Sequence, residues 1–232
     1  MDSTPATTAA IALRSVVWRL AALALLTVIL AGCQSVLTLG YLIGGPPTSD
    51  PDFHQKTKQS LDKKGTTVLV YCYAPKELKW DNERLDYDVA KHLAHQLMQR
   101  GIAVIDPDRV AAWLDKHDKW SKVSEIGKAF KVDYVIHVDV KDYSLFEPRS
   151  PNLYRGHADV MVHAVKMDES RRDGNMIYTT GVKSHFPTRG PVDQNQMSFA
   201  EFKKRYLSAL TFEIGSLFFP TETGDEIPYG YM

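Results

Sequence analysis

The stretch Leu97-Met-Gln-Arg-Gly-Ile-Ala-Val-Ile-Asp106 holds a corner. Upstream of it Leu85, Val89, Ala90, Leu93, Leu97 and Met98 recur at intervals of three and four, which predicts an amphipathic helix over 84–100. Gly101 is placed to end that helix, because a glycine enters left-handed backbone without a Cβ penalty. The apolar residues 102–105 follow too closely to be anything but a returning strand. Before the helix, Thr66-Thr-Val-Leu-Val-Tyr-Cys-Tyr73 is an apolar, β-branched run in which Val68, Val70 and Cys72 share one face at period two. Strand, helix and strand at these spacings form a βαβ unit, with parallel strands and a right-handed crossover.

Downstream, Asp106-Pro107 reads as an N-cap followed by proline at the first helical position, opening a short helix with Val110, Trp113 and Leu114 inward. A further helix over 122–131 buries Val123, Ile126 and Phe130, with Gly127 allowing close packing, and feeds a strand over 133–143. Then the grammar changes. Strands over 158–165 and 177–183 have no helix between them, and Asp173-Gly174 marks a hairpin turn. Ser198-x-x-Glu201 is a capping box, opening a helix with Phe199, Phe202, Tyr206, Ala209, Leu210, Ile214 and Leu217 on one face, and Pro220 stops it. The prediction is one three-layered α/β domain over 66–220: a parallel βαβ start, an antiparallel hairpin and a C-terminal helix. A polar tail over 221–232 follows.

This order, with the passages 97–106 and Glu125-Ile-Gly-Lys-Ala-Phe-Lys-Val-Asp-Tyr-Val-Ile136 and the two strands after them, resembles the domain shared by the curli-secretion lipoprotein, penicillin-binding-protein activator lipoproteins and the TolB amino-terminal domain. The resemblance covers residues 66–183. It implies a non-enzymatic envelope protein that presents a folded domain to other proteins, sometimes within a ring, in an assembly, transport-accessory or regulatory role.

The amino terminus points the same way. Arg14 and Arg19 precede the apolar run 20–30, the n-region and h-region of a secretory signal. Eleven helical residues span only about 16 Å, roughly half a bilayer core. Leu30-Ala31-Gly32-Cys33 resembles the lipobox of bacterial lipoproteins, which implies cleavage after residue 32 and acylation of Cys33. Several acyl chains hold a protein to a bilayer far more firmly than one. Gln34, in place of the aspartate of inner-membrane retention, favours the outer membrane with the domain facing the periplasm. Residues 33–65 then read as a lipid-anchored tether, containing the apolar run 36–45 and Lys56, Lys58, Lys63 and Lys64, which could touch anionic headgroups.

Composition narrows the function further. The 232 residues carry 28 basic and 28 acidic side chains, and loss of the signal leaves 26 and 27, so nothing supplies the basic excess that nucleic-acid binding needs. Lipidation of Cys33 would leave Cys72 alone, which excludes an internal disulfide; Cys72 is expected to be a small core residue, since no base lies near it in sequence. Phosphate loops, dinucleotide fingerprints, nucleophile elbows and zincin motifs are all missing, and no cofactor is expected. Two metal-ligand patterns remain to be weighed. Asp88, His92 and His95 share one helix face, expected to be solvated. His137, Asp139 and Lys141 share a strand face, as do His157, Asp159 and His163; a hairpin centred near Ser150 would set His137 opposite His163 and Lys141 opposite Asp159. A metal-dependent hydrolase on that face is the alternative to a binding protein. For protein contacts, Lys79 and Trp80 follow the first strand, and Arg149, Tyr154 and Arg155 lie in what reads as the loop 147–155, all of types favoured in interfaces. The expected partners are the bilayer, through Cys33, and envelope proteins, a second copy of the chain among them.

Overall fold

The computed structural model describes residues 48–80, 82–117 and 119–222. The chain divides into two units, Met1–Pro47 and Thr48–Met232, and the description concerns the second. The signal, the lipobox and the apolar run 36–45 therefore lie outside the described residues, as does the tail from residue 223.

The elements run β1 (Thr48–Ser49), α1 (Asp52–Thr57), β2 (Thr67–Tyr73), a 3-10 turn (Lys76–Lys79), α2 (Leu85–Gln99), β3 (Ala103–Val104), α3 (Pro107–Leu114) and α4 (Val123–Phe130). Then come β4 (Tyr134–Glu147), β5 (Ser150–Met167), β6 (Gly174–Phe186), β7 (Val192–Asp193), α5 (Phe199–Gly215) and β8 (Thr221–Glu222). The main sheet has the order β3-β2-β4-β5-β6. β2 is parallel to both β3 and β4, while β4–β5 and β5–β6 are antiparallel. The parallel start, the antiparallel continuation and the C-terminal helix are those expected.

Both helix-to-strand corners close in the same way. Gly101, at φ 82°, donates to the Met98 carbonyl and Ile102 N–H to that of Leu97 (3.1 Å), a Schellman motif that seats Ile102 beneath the helix end. The second corner repeats it with a lysine: Lys131, at φ 55°, donates to Lys128 O and Val132 to Gly127 O. Gly127 has to be glycine, because a Cβ there would fall 2.7 Å from Met167 Sδ and 2.8 Å from Val135. At the other end of the short helix before it, Asp106 caps α3 by accepting from Asp108 N–H at 2.9 Å.

Both faces of β2 are buried, so the first crossover covers one and the second the other. Val68, Val70 and Cys72 join Ile136, Val138, Val160 and Val162 beneath α2 and α5. Leu69 and Tyr71 join Val110, Ile126, Val135, Val165 and Met167 beneath α3 and α4. This second helical layer is short. Beyond it β4, β5 and β6 leave one face without a helix, which is why burial alternates residue by residue along β5.

Three boundaries differ from expectation. Phe53 and Leu61 are fully buried in the larger core, Phe53 meeting Tyr134, Tyr178 and Phe218 edge-on or tilted, so the domain includes 48–65. Residues 147–155 are not a loop: β5 begins at Ser150, Glu147 pairs with Ser150, and only Pro148 and Arg149 turn the chain. Packing of Phe146 and Tyr154 on Phe199 and Phe202 extends both strands outward, and Pro151 is tolerated near the strand's start. At the carboxyl end, Thr221–Glu222 pair with Ser49–Thr48, bringing the two ends of the described domain together.

Candidate functional site

The carboxyl edge of β2 is where crossover helices on opposite faces diverge, the position at which open α/β sheets form crevices. After Ala74 and Pro75 the 3-10 turn carries the chain outward, and Trp80 at its end is 88% exposed. Lys79 is held by Asp86 of the first turn of α2. Beside it, between α2 and α3, lies a cleft of about 320 Å³ lined among others by Tyr71, Asp86, Tyr87, His117 and Trp120. Trp120 stands edge-on to Tyr71, with ring centroids 5.3 Å apart. Cys72 forms part of the floor; burial pushes its thiol well up, and its sulfur meets only the Tyr73 carbonyl, at 3.9 Å. A nucleophile needs a thiolate and a base, and Cys72 has neither.

On the open sheet face His137 does lie opposite His163. Their rings stack at 5.4 Å and 28°, and His137 also stacks on Tyr71 at 5.2 Å. Burial, with the neighbouring His163, lowers the pKa of His137 to about 4, and burial lowers that of His163 as well. Neutral, stacked rings present faces rather than nitrogens to each other; His137 Nε2 is buried without a partner, and His163 Nδ1 lies 3.0 Å from Thr179 Oγ1. Lys141 does not meet Asp159. A bulge after Val140 leaves Lys141 unpaired in the ladder, so that it binds Asp139 at 2.5 Å while Asp159 faces Lys183 at 3.8 Å. His157 Nε2 reaches Asp142 at 3.0 Å. Among the described residues no three His, Cys, Asp or Glu side chains converge as a metal-ligand set.

The helical pattern is the solvated face expected of it only in part: His95 is exposed, with Lys91 and Gln99, but Asp88 and Gln96 are covered by α5. Asp88 pairs with Lys203 of α5 at 3.1 Å, and Gln96 Nε2 donates to Ser208 O and Thr211 Oγ1 at 3.0 and 2.9 Å. That side of α2 is a helix–helix contact, and its partner lies more than a hundred residues away in sequence.

Of the expected contact residues, Tyr154 is inside the protein, 8% exposed and stacked on Phe202 at 5.3 Å. Arg149 sits at the hairpin tip with φ 65°, and Arg155 is paired with Glu147 at 3.3 Å. The Trp80 turn and this hairpin come together at one end of the sheet. A cleft of about 110 Å³ between them is lined by Leu78, Trp80, Leu145, Phe146 and Phe199. Sequence reasoning missed Phe146 and Phe199, since Phe146 lies beyond the expected strand over 133–143 and Phe199 looks like helix core, and only the extended hairpin brings them to this rim.

No protein-family model matches the chain, and no curated protein matches it. Among solved structures, the chain is similar to a PelC variant dodecamer from Paraburkholderia phytofirmans, at 10% identity over 75% of this chain and 98% of that one, with a TM-score of 0.43. It is similar to a hypothetical protein, CT253, from Chlamydia trachomatis, at 14% identity over 67% and 98%, TM-score 0.40. A third is the lipoprotein GNA1162 from Neisseria meningitidis, at 13% identity over 64% and 97%, TM-score 0.37. At these identities and scores the likeness bears neither on activity nor on partners.

Proposed function

We propose that the chain is an outer-membrane lipoprotein, acylated at Cys33, whose periplasm-facing α/β domain binds another envelope protein and performs no catalysis. The observation that carries the binding part is the placement of Trp80. Trp80 is 88% exposed at the carboxyl edge of β2, on the rim of a cleft that Leu78, Leu145, Phe146 and Phe199 help to line, and tryptophan is among the residues most enriched in interface hot spots. At the other end of the sheet Phe53 of α1 packs on Tyr134, the first residue of β4. The Trp80 loop and α1, near the start of the described domain, thus lie at opposite ends of the sheet. The anchoring part rests on the lipobox and the preceding apolar run.

Replacing Trp80 by a photo-crosslinking amino acid in cells tests the binding part, with the same substitution at Lys204 on α5 as control. A discrete adduct from position 80 alone is expected, and its size also tells a second copy of this chain from a different protein. Adducts equal at both positions would refute the assignment. For the anchor, Cys33→Ala should move the protein out of the outer-membrane fraction; unchanged fractionation and processing would refute acylation. Stoichiometric zinc or copper in purified protein would overturn the non-catalytic reading in favour of a metal-dependent hydrolase on the His137/His163 face.

A further inference from the structure

We infer that the end of the domain opposite Trp80 is a docking surface for anionic phospholipid headgroups, so that the anchored domain stands with the amino-terminal ends of β2, β4 and β6 against the bilayer; this rests on the lipoprotein reading above.

Three segments distant in sequence deliver exposed bases to that rim. Lys58, Lys63 and Lys64 precede β2, Lys128 and Lys131 precede β4, and Lys166 and Arg172 flank the β5–β6 turn. The strand register places them together: Thr67 N–H is bound by Asp133 next to Lys131, and Lys166 pairs with both Tyr134 and Asn175. None of the seven has an ion-pair partner among the described residues, whereas Lys56 and Arg171 nearby are neutralised by Asp52 and Asp133. Against them stand Asp62, Asp168, Glu169 and Asp173, of which Asp62, Asp168 and Asp173 accept bonds from neutral hydroxyls or backbone N–H groups and keep their charge, so the seven bases leave the rim with a positive excess over these four.

Two of these bases occupy backbone positions that favour glycine. Lys58 and Lys131 end α1 and α4 at φ 57° and 55°, in the left-handed region where a Cβ is strained. A helix dipole favours a cation there. It does not explain Lys63, Lys64, Lys166 and Arg172, which cap no helix. A surface of several unpaired bases gains from a facing layer of phosphates, each base adding an increment that salt screens away.

Location supplies the occupant. The domain begins at Thr48, fifteen residues beyond Cys33, and α1 and the lysines after it are the first part of the domain that the tether reaches. An acylated Cys33 would keep this rim near headgroups at high effective concentration.

Amine acetylation of the mature, acylated protein in vesicles is the test, comparing phosphatidylethanolamine/phosphatidylcholine with the same lipids containing phosphatidylglycerol. In the anionic vesicles Lys58, Lys63, Lys64, Lys131 and Lys166 should label about fivefold more slowly, and Lys76 and Lys183 should not change. The protection should vanish in ~1 M salt, where screening acts over about 3 Å. Equal labelling in both lipids, or protection that ignores both lipid charge and salt, overturns the docking surface while leaving the anchor intact. Protein that fails to float with either vesicle refutes acylation at Cys33 and takes the docking surface with it.

Discussion

Glu213 of α5 offers the sharpest test of how the larger core is built. Its Oε2 is buried without a partner, and the same is true of the hydroxyls of Ser184 on β6 and Tyr206 on α5. Burial lifts the carboxyl from 4.5 to about 7, and the Ser184 hydroxyl, close by but off hydrogen-bonding geometry, opposes this only weakly. Because the folded value lies above the unfolded one, the protonated Glu213 favours the fold below pH ~4.5, and that contribution is lost as the pH rises through about 7. A lift of this size is worth about 3 kcal/mol at ~1.4 kcal/mol per unit. Part of the carboxylate still reaches water, and screening there brings the expectation to about 2 kcal/mol. Glu213→Gln removes the ionisation while keeping the shape. Urea titrations should show the variant more stable than the parent by about 2 kcal/mol at pH 8.5, an increase in Tm of roughly 4–8 °C, and nearly equal to it at about pH 4. His137 titrates in the opposite sense, since its lowered pKa costs stability as the pH falls from 6.5 through about 4. It does so equally in both proteins and cancels from their difference. A stability difference that does not depend on pH, or a variant less stable at pH 8.5, would refute the buried, unpartnered carboxylate.

Gly156→Ala should destabilise the domain by about 2–3 kcal/mol in the same titrations, because the added Cβ would lie 2.4 Å from the Tyr206 ring. Ellman's reagent should find no reactive thiol in the native, acylated protein and one in denaturant, since Cys72 is 4% exposed with its pKa raised by burial; rapid native reaction would contradict that burial. Trp80→Ala should leave stability within about 0.5 kcal/mol of the parent and abolish partner crosslinking installed at neighbouring positions. Tyr154→Ala, by contrast, should cost about 3–4 kcal/mol through the stack on Phe202, and a stable Tyr154→Ala protein would show that β5 does not start where it does.

What sequence made legible was local. The corners at Gly101 and Lys131 and the caps at Asp106 and Ser198 are each decided within six residues, and with them went the parallel start and the order of elements. The register that sets His137 against His163 is the one expected, although the chain turns at Pro148-Arg149 and not at Ser150, because the irregularity between Phe146 and Glu147 makes up the offset. Missing was whatever depends on distant packing. Phe53 and Leu61 look like linker residues until the larger core forms, where Tyr134, Tyr178 and Phe218 wall in Phe53. Asp88 and Gln96 look solvated until α5 returns over α2. The stretch over 147–155 contains two prolines and two bases, and only the aromatic rings of α5 show that most of it is strand. The bulge at Lys141, one residue long, set Asp142 opposite Asp159 and Ser144 opposite His157 before the register returned at Phe146. Of the contact residues, Trp80 was recognisable as a tryptophan among polar neighbours, whereas Tyr154 alternated with polar residues in a way that also describes a half-buried strand.

The position of β2 has a mechanical consequence. If a partner grips Trp80 while Cys33 is held in a bilayer, tension enters the domain at Thr48 and leaves just past Tyr73. The β1–β8 pair, two residues on each side, would part first, and α1 would peel next. The load would then pass along β2 itself, which is bonded lengthwise to β4 at six register positions and to β3 at two. Pulled end to end between parallel neighbours, such a strand shears, so its bonds must fail together and not in succession. Single-molecule stretching between residues 48 and 80 should show a small early release followed by a high-force rupture; a single low-force transition would mean that β2 is not the member under tension.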